Sequence, residues 1–195
     1  MKLVIVDLRK TTEAKLMANK LLTSKDKEML AKFQVEKVRM QKAASCILKN
    51  KYIGEYEVNE FGKPLSKRYY FSVSHSEDFV VLAISNNHPL GVDIELIKHY
   101  KDEVAKFVCN EDEYKEIKDE ESFAKVWTNK EALSKCAGTG LATPVKELPA
   151  LPFEGKKEYK GETYFSKQLR LENYLVSIVS ENNKEFEVLE ENIEL

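Results

Sequence analysis

The chain has 195 residues, 31 basic and 33 acidic side chains, and a formal net charge of −2. That length suits one domain or two small halves sharing a core, with enough interior to fold without a disulfide or metal staple. A hydrophobic fraction of 43% and a charged fraction of 33% exclude a disordered chain, and the near-neutral balance argues against a nucleic-acid binder. No apolar run reaches the roughly eighteen residues of a membrane span. Leu3 to Val6 is too short for a secretory core. Cys46, Cys109 and Cys136 are odd in number, far apart and in no CxxC pair. Neither a disulfide framework nor a zinc site is expected, and the expected compartment is a reducing cytoplasm. The small total hides a gradient: residues 1–50 carry twelve basic and five acidic side chains, and every later segment is net acidic.

In chain order, Leu3–Val6 reads as a short strand. Two helices follow, from Ser24 as N-cap to Phe33 and from Glu36 to about Lys49. Phe61-Gly62-Lys63-Pro64 is a loop. Tyr70–His75 and Phe79–Ile84 read as strands joined by Ser76-Glu77-Asp78. Val92, Ile94 and Leu96 alternate with Asp93 and Glu95, the pattern of a half-buried strand. Helices are expected over Asp102–Phe107, Glu111–Lys118 and Ser122–Ala137, the last closed by Gly138. Residues 139–160 read mostly as loop. Tyr164–Leu171 and Asn173–Val179 form a hairpin, with more strand near Phe186–Leu189.

The two parts resemble each other in the same order. Val6-Asp7-Leu8 matches Val92-Asp93-Ile94, Lys42-Ala43-Ala44 matches Lys130-Glu131-Ala132, and the hairpin from Phe71 matches the one from Phe165. The reading is an α+β fold of two similar αβ halves, residues 1–87 and 88–195. On that alignment Asp93 and Glu131 answer to Asp7 and Ala43, so the acidic set is fuller in the second half.

Several side chains could carry chemistry. Asp93 and Glu95, two apart on a strand, project from one face. Paired carboxylates repel unless a cation lies between them, and oxygen-only ligands suit Mg²⁺. Trp127, Glu131 and Lys135 form one stripe on a helix. Each feature alone has a plain structural reading: a solvent-facing pair of acids, a surface Glu–Lys pair beside a packing Trp. The same holds for His75 between two serines, Lys63 in a turn and Arg39 on a basic helix.

Together they say more. Phe61-Gly62-Lys63-Pro64, Phe71-Ser72-Val73-Ser74-His75-Ser76, Gly91-Val92-Asp93-Ile94-Glu95 and Trp127-Thr128-Asn129-Lys130-Glu131-Ala132-Leu133-Ser134-Lys135 occur in this order. The set resembles the 4'-phosphopantetheinyl transferase superfamily, in particular its larger surfactin-synthetase-activating type, over roughly residues 20–180.

The resemblance implies an intramolecular pseudo-dimer with its active site at the interface of the halves, and a monomeric chain. It implies transfer of the phosphopantetheine arm of coenzyme A to a serine of an apo acyl or peptidyl carrier protein. Asp93, Glu95 and Glu131 would hold Mg²⁺. Glu131 would take the serine proton, and Lys135 would balance charge on the pyrophosphate. Arg39, Ser74 and His75 would lie at the 3'-phosphate, and Lys63 with Pro64 would line the adenine pocket. Two other readings fit parts of the pattern: a Mg²⁺-dependent phosphohydrolase on the same carboxylates, or a non-catalytic module that docks carrier domains.

Overall fold

A computed structural model describes residues 1–59, 64–140, 143–191 and 193. The fold is mixed α+β, with two four-stranded sheets. The first contains β1 (Lys2–Asp7), β4 (Tyr70–Ser76), β5 (Phe79–Ser85) and β10 (Glu187–Glu190), in the order β10-β1-β5-β4. The second contains β6 (Leu90–Leu96), β7 (Gly155–Tyr159), β8 (Glu162–Leu171) and β9 (Tyr174–Ser180), in the order β6-β9-β8-β7. A two-residue ladder pairs β2 (Glu57–Val58) with β3 (Pro64–Leu65). The helices are α1 (Glu13–Ala18), α2 (Ser24–Leu30), α3 (Glu36–Tyr52), α4 (Asp102–Val108), α5 (Glu111–Glu116) and α6 (Glu120–Ala137).

The core explains the strand patterns. Val4, Val6, Val80 and Leu82 pack beneath Ala44 and Leu48 of α3. From the other face of the same strands, Leu3, Ile5, Val81 and Ala83 meet Val92, Ile94, Val176 and Ile178 of the second sheet. Beyond that sheet lies α6, with Ala132, Leu133 and Cys136 against Tyr164 and Val179. The layers run helix, sheet, sheet, helix. A strand covered on both faces needs a continuous apolar run, which is what Leu3–Val6 supplies.

The structure amends several expectations. Thr23, not Ser24, caps α2, because Thr23 and Asp26 exchange side-chain and backbone hydrogen bonds as a capping box, and the helix ends at Leu30. Helix α1 was not anticipated. Within the stretch read as loop, Gly155–Tyr159 is a strand, paired with β8. The β6 strand is not half-solvated: Gly91, Val92, Asp93 and Ile94 are all buried. Strand β10 lies parallel to β1, at the edge of the first sheet.

The repeat also changes register. Both hairpins turn through two residues whose first has positive φ, Glu77 at 43° and Glu172 at 51°. Ser76 opposite Phe79 corresponds to Leu171 opposite Tyr174. Carried across the ladders, Val4 opposite Leu82 corresponds to Asp93 opposite Ser177. The ladder counterpart of Asp93 is therefore Val4, a fully buried core residue, and not Asp7.

Candidate active site

Edge strand β4 lies beside edge strand β6, and three alternate serines join them. The Ser72 hydroxyl accepts the Val92 N–H at 3.1 Å, and the Ser76 hydroxyl accepts the Leu96 N–H at 3.1 Å. Ser74 Oγ donates to Asp93 Oδ1 at 2.7 Å, and Ser76 Oγ donates to Glu95 Oε2 at 3.0 Å. Hydroxyls thus satisfy an edge that would otherwise present unpaired backbone groups. They also aim both carboxylates.

Helix α6 lies over the other face of β6. Its N-terminus is fixed by an Asp119–Ser122 capping box and its C-terminus by Gly138 in the left-handed region. Gly91 lets the helix approach: a Cβ there would stand 2.0 Å from the Ala132 carbonyl oxygen and 2.5 Å from the Cys136 nitrogen. The Trp127, Glu131, Lys135 stripe consequently meets the acids of β6. Trp127 Nε1 donates to Glu95 Oε1 at 3.3 Å. Lys135 Nζ donates to Asp93 Oδ1 at 2.7 Å, and to Ser74 Oγ and the Val92 carbonyl at 3.2 Å each.

The electrostatics follow from burial. Desolvation and then the neighbouring Asp93 charge raise the Glu95 carboxyl above its usual range, against the hydrogen bonds of Ser76 and Trp127. Desolvation and Asp93 raise Glu131 as well, partly offset by Lys135.

A cleft of about 490 Å³ opens beside this cluster. Lys42, Ser45, Cys46 and Lys49 of α3 form one wall, Phe71, Val73 and His75 of β4 the floor, and Ser134, Lys135 and Gly138 the other wall. Burial, then Lys42 and Lys135, push the His75 imidazole below its usual pKa.

The predicted residues separate accordingly. Asp93, Glu95, Glu131 and Lys135 are brought together. His75 and Pro64 line the cleft. Ser74 points the opposite way from His75, toward Asp93. Lys63 lies outside the described residues. Arg39 is not among the described lining residues; its guanidinium pairs with Glu13 at 2.5 Å and donates to the Phe33 and Gln34 carbonyls. Lys42 and Lys49 face the cleft instead and were missed. Their spacing of seven, two helical turns, was the available signal.

Among the described residues no group of three His, Cys, Asp or Glu side chains forms a ready metal cluster. The donor chemistry nevertheless fits a hard divalent cation. Asp93 Oδ2 is buried with no hydrogen-bond partner among the described residues, and the acids around it carry more charge repulsion than Lys135 alone relieves.

Residues 89–179 match the model of the 4'-phosphopantetheinyl transferase superfamily. A holo-[acyl-carrier-protein] synthase of Nautilia profundicola is 32% identical over 84 residues, which are 40% of this chain and 72% of that protein. The chain belongs to the 4'-phosphopantetheinyl transferase superfamily. Longer members also match. The 4'-phosphopantetheinyl transferase gsp of Aneurinibacillus migulanus is 37% identical over 100 residues, 48% of this chain and 42% of that protein. The transferase Sfp of Bacillus subtilis is 33% identical over 99 residues, 46% of this chain and 44% of that protein. The aligned stretch spans less than half of these longer relatives. The family match contains Asp93, Glu95, Trp127, Glu131 and Lys135, whereas Lys42, Ser74 and His75 lie before it. No described helix is long and apolar enough to cross a membrane.

Proposed function

We propose that this protein transfers the 4'-phosphopantetheine arm of coenzyme A to a serine hydroxyl of an apo acyl or peptidyl carrier protein, in the cytoplasm. One observation carries the reading: Lys135, on the wall of a cleft whose other wall bears Lys42 and Lys49, pairs with Asp93, whose charge acts on both Glu95 and Glu131. An anion bound along that wall would present its diphosphate to the acids only with a cation between them.

The serine oxygen forms a bond to the β-phosphorus, and the bond from that phosphorus to the bridging oxygen breaks, releasing 3',5'-adenosine bisphosphate. Glu131, its pKa raised by burial and by Asp93, would take the serine proton. Lys135 balances charge on the departing phosphate. Asp93, Glu95 and Glu131 would hold Mg²⁺, which supplies charge neutralisation at the phosphoryl oxygens. His75 and Lys42 would receive the 3'-phosphate, and Pro64 with Lys63 the adenine. Ser74 serves better as an orienter of Asp93 than as a phosphate ligand, and Arg39 as a brace of α3.

We read the two sheet-and-helix units as an intramolecular pseudo-dimer, divided near residue 87 and functional as a monomer. A shared three-strand core, β1-β5-β4 in one sheet and β6-β9-β8 in the other, and matching hairpin registers support this. The whole function is tested by incubating the protein with coenzyme A, Mg²⁺ and an apo carrier protein, then weighing the carrier. A gain of one phosphopantetheine arm is expected. Nucleotide products without carrier modification would indicate a phosphohydrolase, and a complex without mass change a docking module.

A further inference from the structure

Two lysines are buried near α6 with one carboxylate between them. Lys130 is fully buried, and its Nζ lies 2.7 Å from Glu113 Oε2. It also donates to the Leu148 carbonyl at 2.6 Å and the Val145 carbonyl at 3.1 Å. Glu113 accepts the backbone N–H of Ala150 at 2.7 Å and of Asn110 at 2.9 Å. Its charge is already shared among these partners. Lys157, on β7, is 4% exposed. Its Nζ donates to two neutral acceptors, the Ala150 carbonyl at 2.7 Å and Asn129 Oδ1 at 2.9 Å. Asn129 donates in turn to the Phe153 carbonyl at 3.1 Å.

These bonds fasten successive points from Val145 to Phe153 onto Asn129 and Lys130, the two residues that precede Glu131 on α6. The same segment follows Gly138 and Gly140 of the cleft wall. We propose that Lys157 is a positioning residue for Glu131, its amine locking the segment 145–153 against α6 through Ala150 and Asn129. The role in transfer rests on the function proposed above; the lock itself does not.

The lock suits an uncharged amine. An ammonium has three N–H donors and a neutral amine two, and two acceptors are in place. Burial, against Glu113 and with the help of Lys130, brings the Lys157 pKa down to about 7. The charged groups facing this cluster are Glu113 from α5 and Lys130 from α6. Lys146, from the turn Val145–Glu147, acts on Lys130. Cys109, after α4, and Tyr164, the ladder partner on β8, are neutral at physiological pH, with pKa values pushed up to about 11 and about 12. A second positive charge beside Lys130 therefore has no free counter-ion among the described residues, and protonation of Lys157 loosens the segment.

Hydrogen exchange of residues 145–153, corrected for the intrinsic effect of pH, reads the lock without substrate. In the unaltered protein it should slow from pH 6 to pH 8, while kcat rises about fivefold; at each pH the KM for coenzyme A of Lys157→Met should stay within about twofold of that of the unaltered protein. In Lys157→Met both steps should vanish. An unchanged step in that variant, or no exchange step in the unaltered protein, overturns the proposal. Should the variant fail to fold, side-chain NMR of Lys157 in the unaltered protein decides: a midpoint at the ordinary lysine value of about 10.4 overturns it, and one close to 7 supports it. An exchange step with no transfer at any pH overturns the transferase reading and leaves the lock standing.

Discussion

Lys135 Nζ lies 2.7 Å from Asp93 Oδ1, while the second oxygen of that buried carboxylate has no hydrogen-bond partner among the described residues. Half of the acid is neutralised by α6 and half is left for another cation. Replacing Asp93 by Ala would strand both Lys135 and Ser74, so Asp93→Asn is the cleaner variant. It should melt within a few degrees of the unaltered protein yet lose at least about a hundredfold in transfer rate. Thermal melting and the carrier mass assay check the two halves of that statement. Chelation of divalent cations should produce the same loss in the unaltered protein.

Gly91 sets how closely α6 approaches β6. With a Cβ placed 2.0 Å from the Ala132 carbonyl oxygen, backbone must move, because no flexible side chain stands there to yield. Gly91→Ala should destabilise the fold by about 3 kcal/mol or more. Denaturant unfolding measures it.

Trp127→Phe keeps an aromatic ring, though a smaller one, and removes the indole donor from Glu95 Oε1. A long single hydrogen bond predicts a stability loss of about 1 kcal/mol or less. Transfer should fall about tenfold because Glu95 is then held on one side only. A stability loss with full activity would show that the indole serves the fold alone.

His75 is held below its usual pKa first by burial and then by Lys42 and Lys135. A phosphate dianion bound beside it would raise that pKa, so coenzyme A should take up a fraction of a proton on binding. Its affinity should weaken as pH rises through neutrality. Calorimetry in buffers of different ionisation enthalpy reads the uptake, which His75→Ala should abolish.

Lys157 has a signed effect on stability. Its folded pKa of about 7 lies below the ordinary lysine value of about 10.4. Between those values the unfolded chain binds a proton that the folded chain lacks, so stability rises with pH across this window. Below pH 7 the full penalty applies, on the order of a few kcal/mol. Lys157→Met should flatten that slope in unfolding experiments at pH 7 and pH 9.

Much of the molecule was legible locally. Alternation placed Asp93 and Glu95 on one face of a strand, helical spacing placed Trp127, Glu131 and Lys135 in one stripe, and Gly138 marked the end of α6. These follow from backbone periodicity, which acts over a few residues. Tertiary structure decided which groups meet. Arg39 looked like a free cation on a basic helix, but Glu13, 26 residues away, claims it. Ser74 and His75 are neighbours in sequence, yet strand geometry sends one to Asp93 and the other to the cleft. The repeat was visible, but only ladder register set Asp93 against Val4. Composition showed a chain of net charge −2 with room for two small halves. Partners for individual charges come from contacts between distant segments, and local patterning carries no information about those distances.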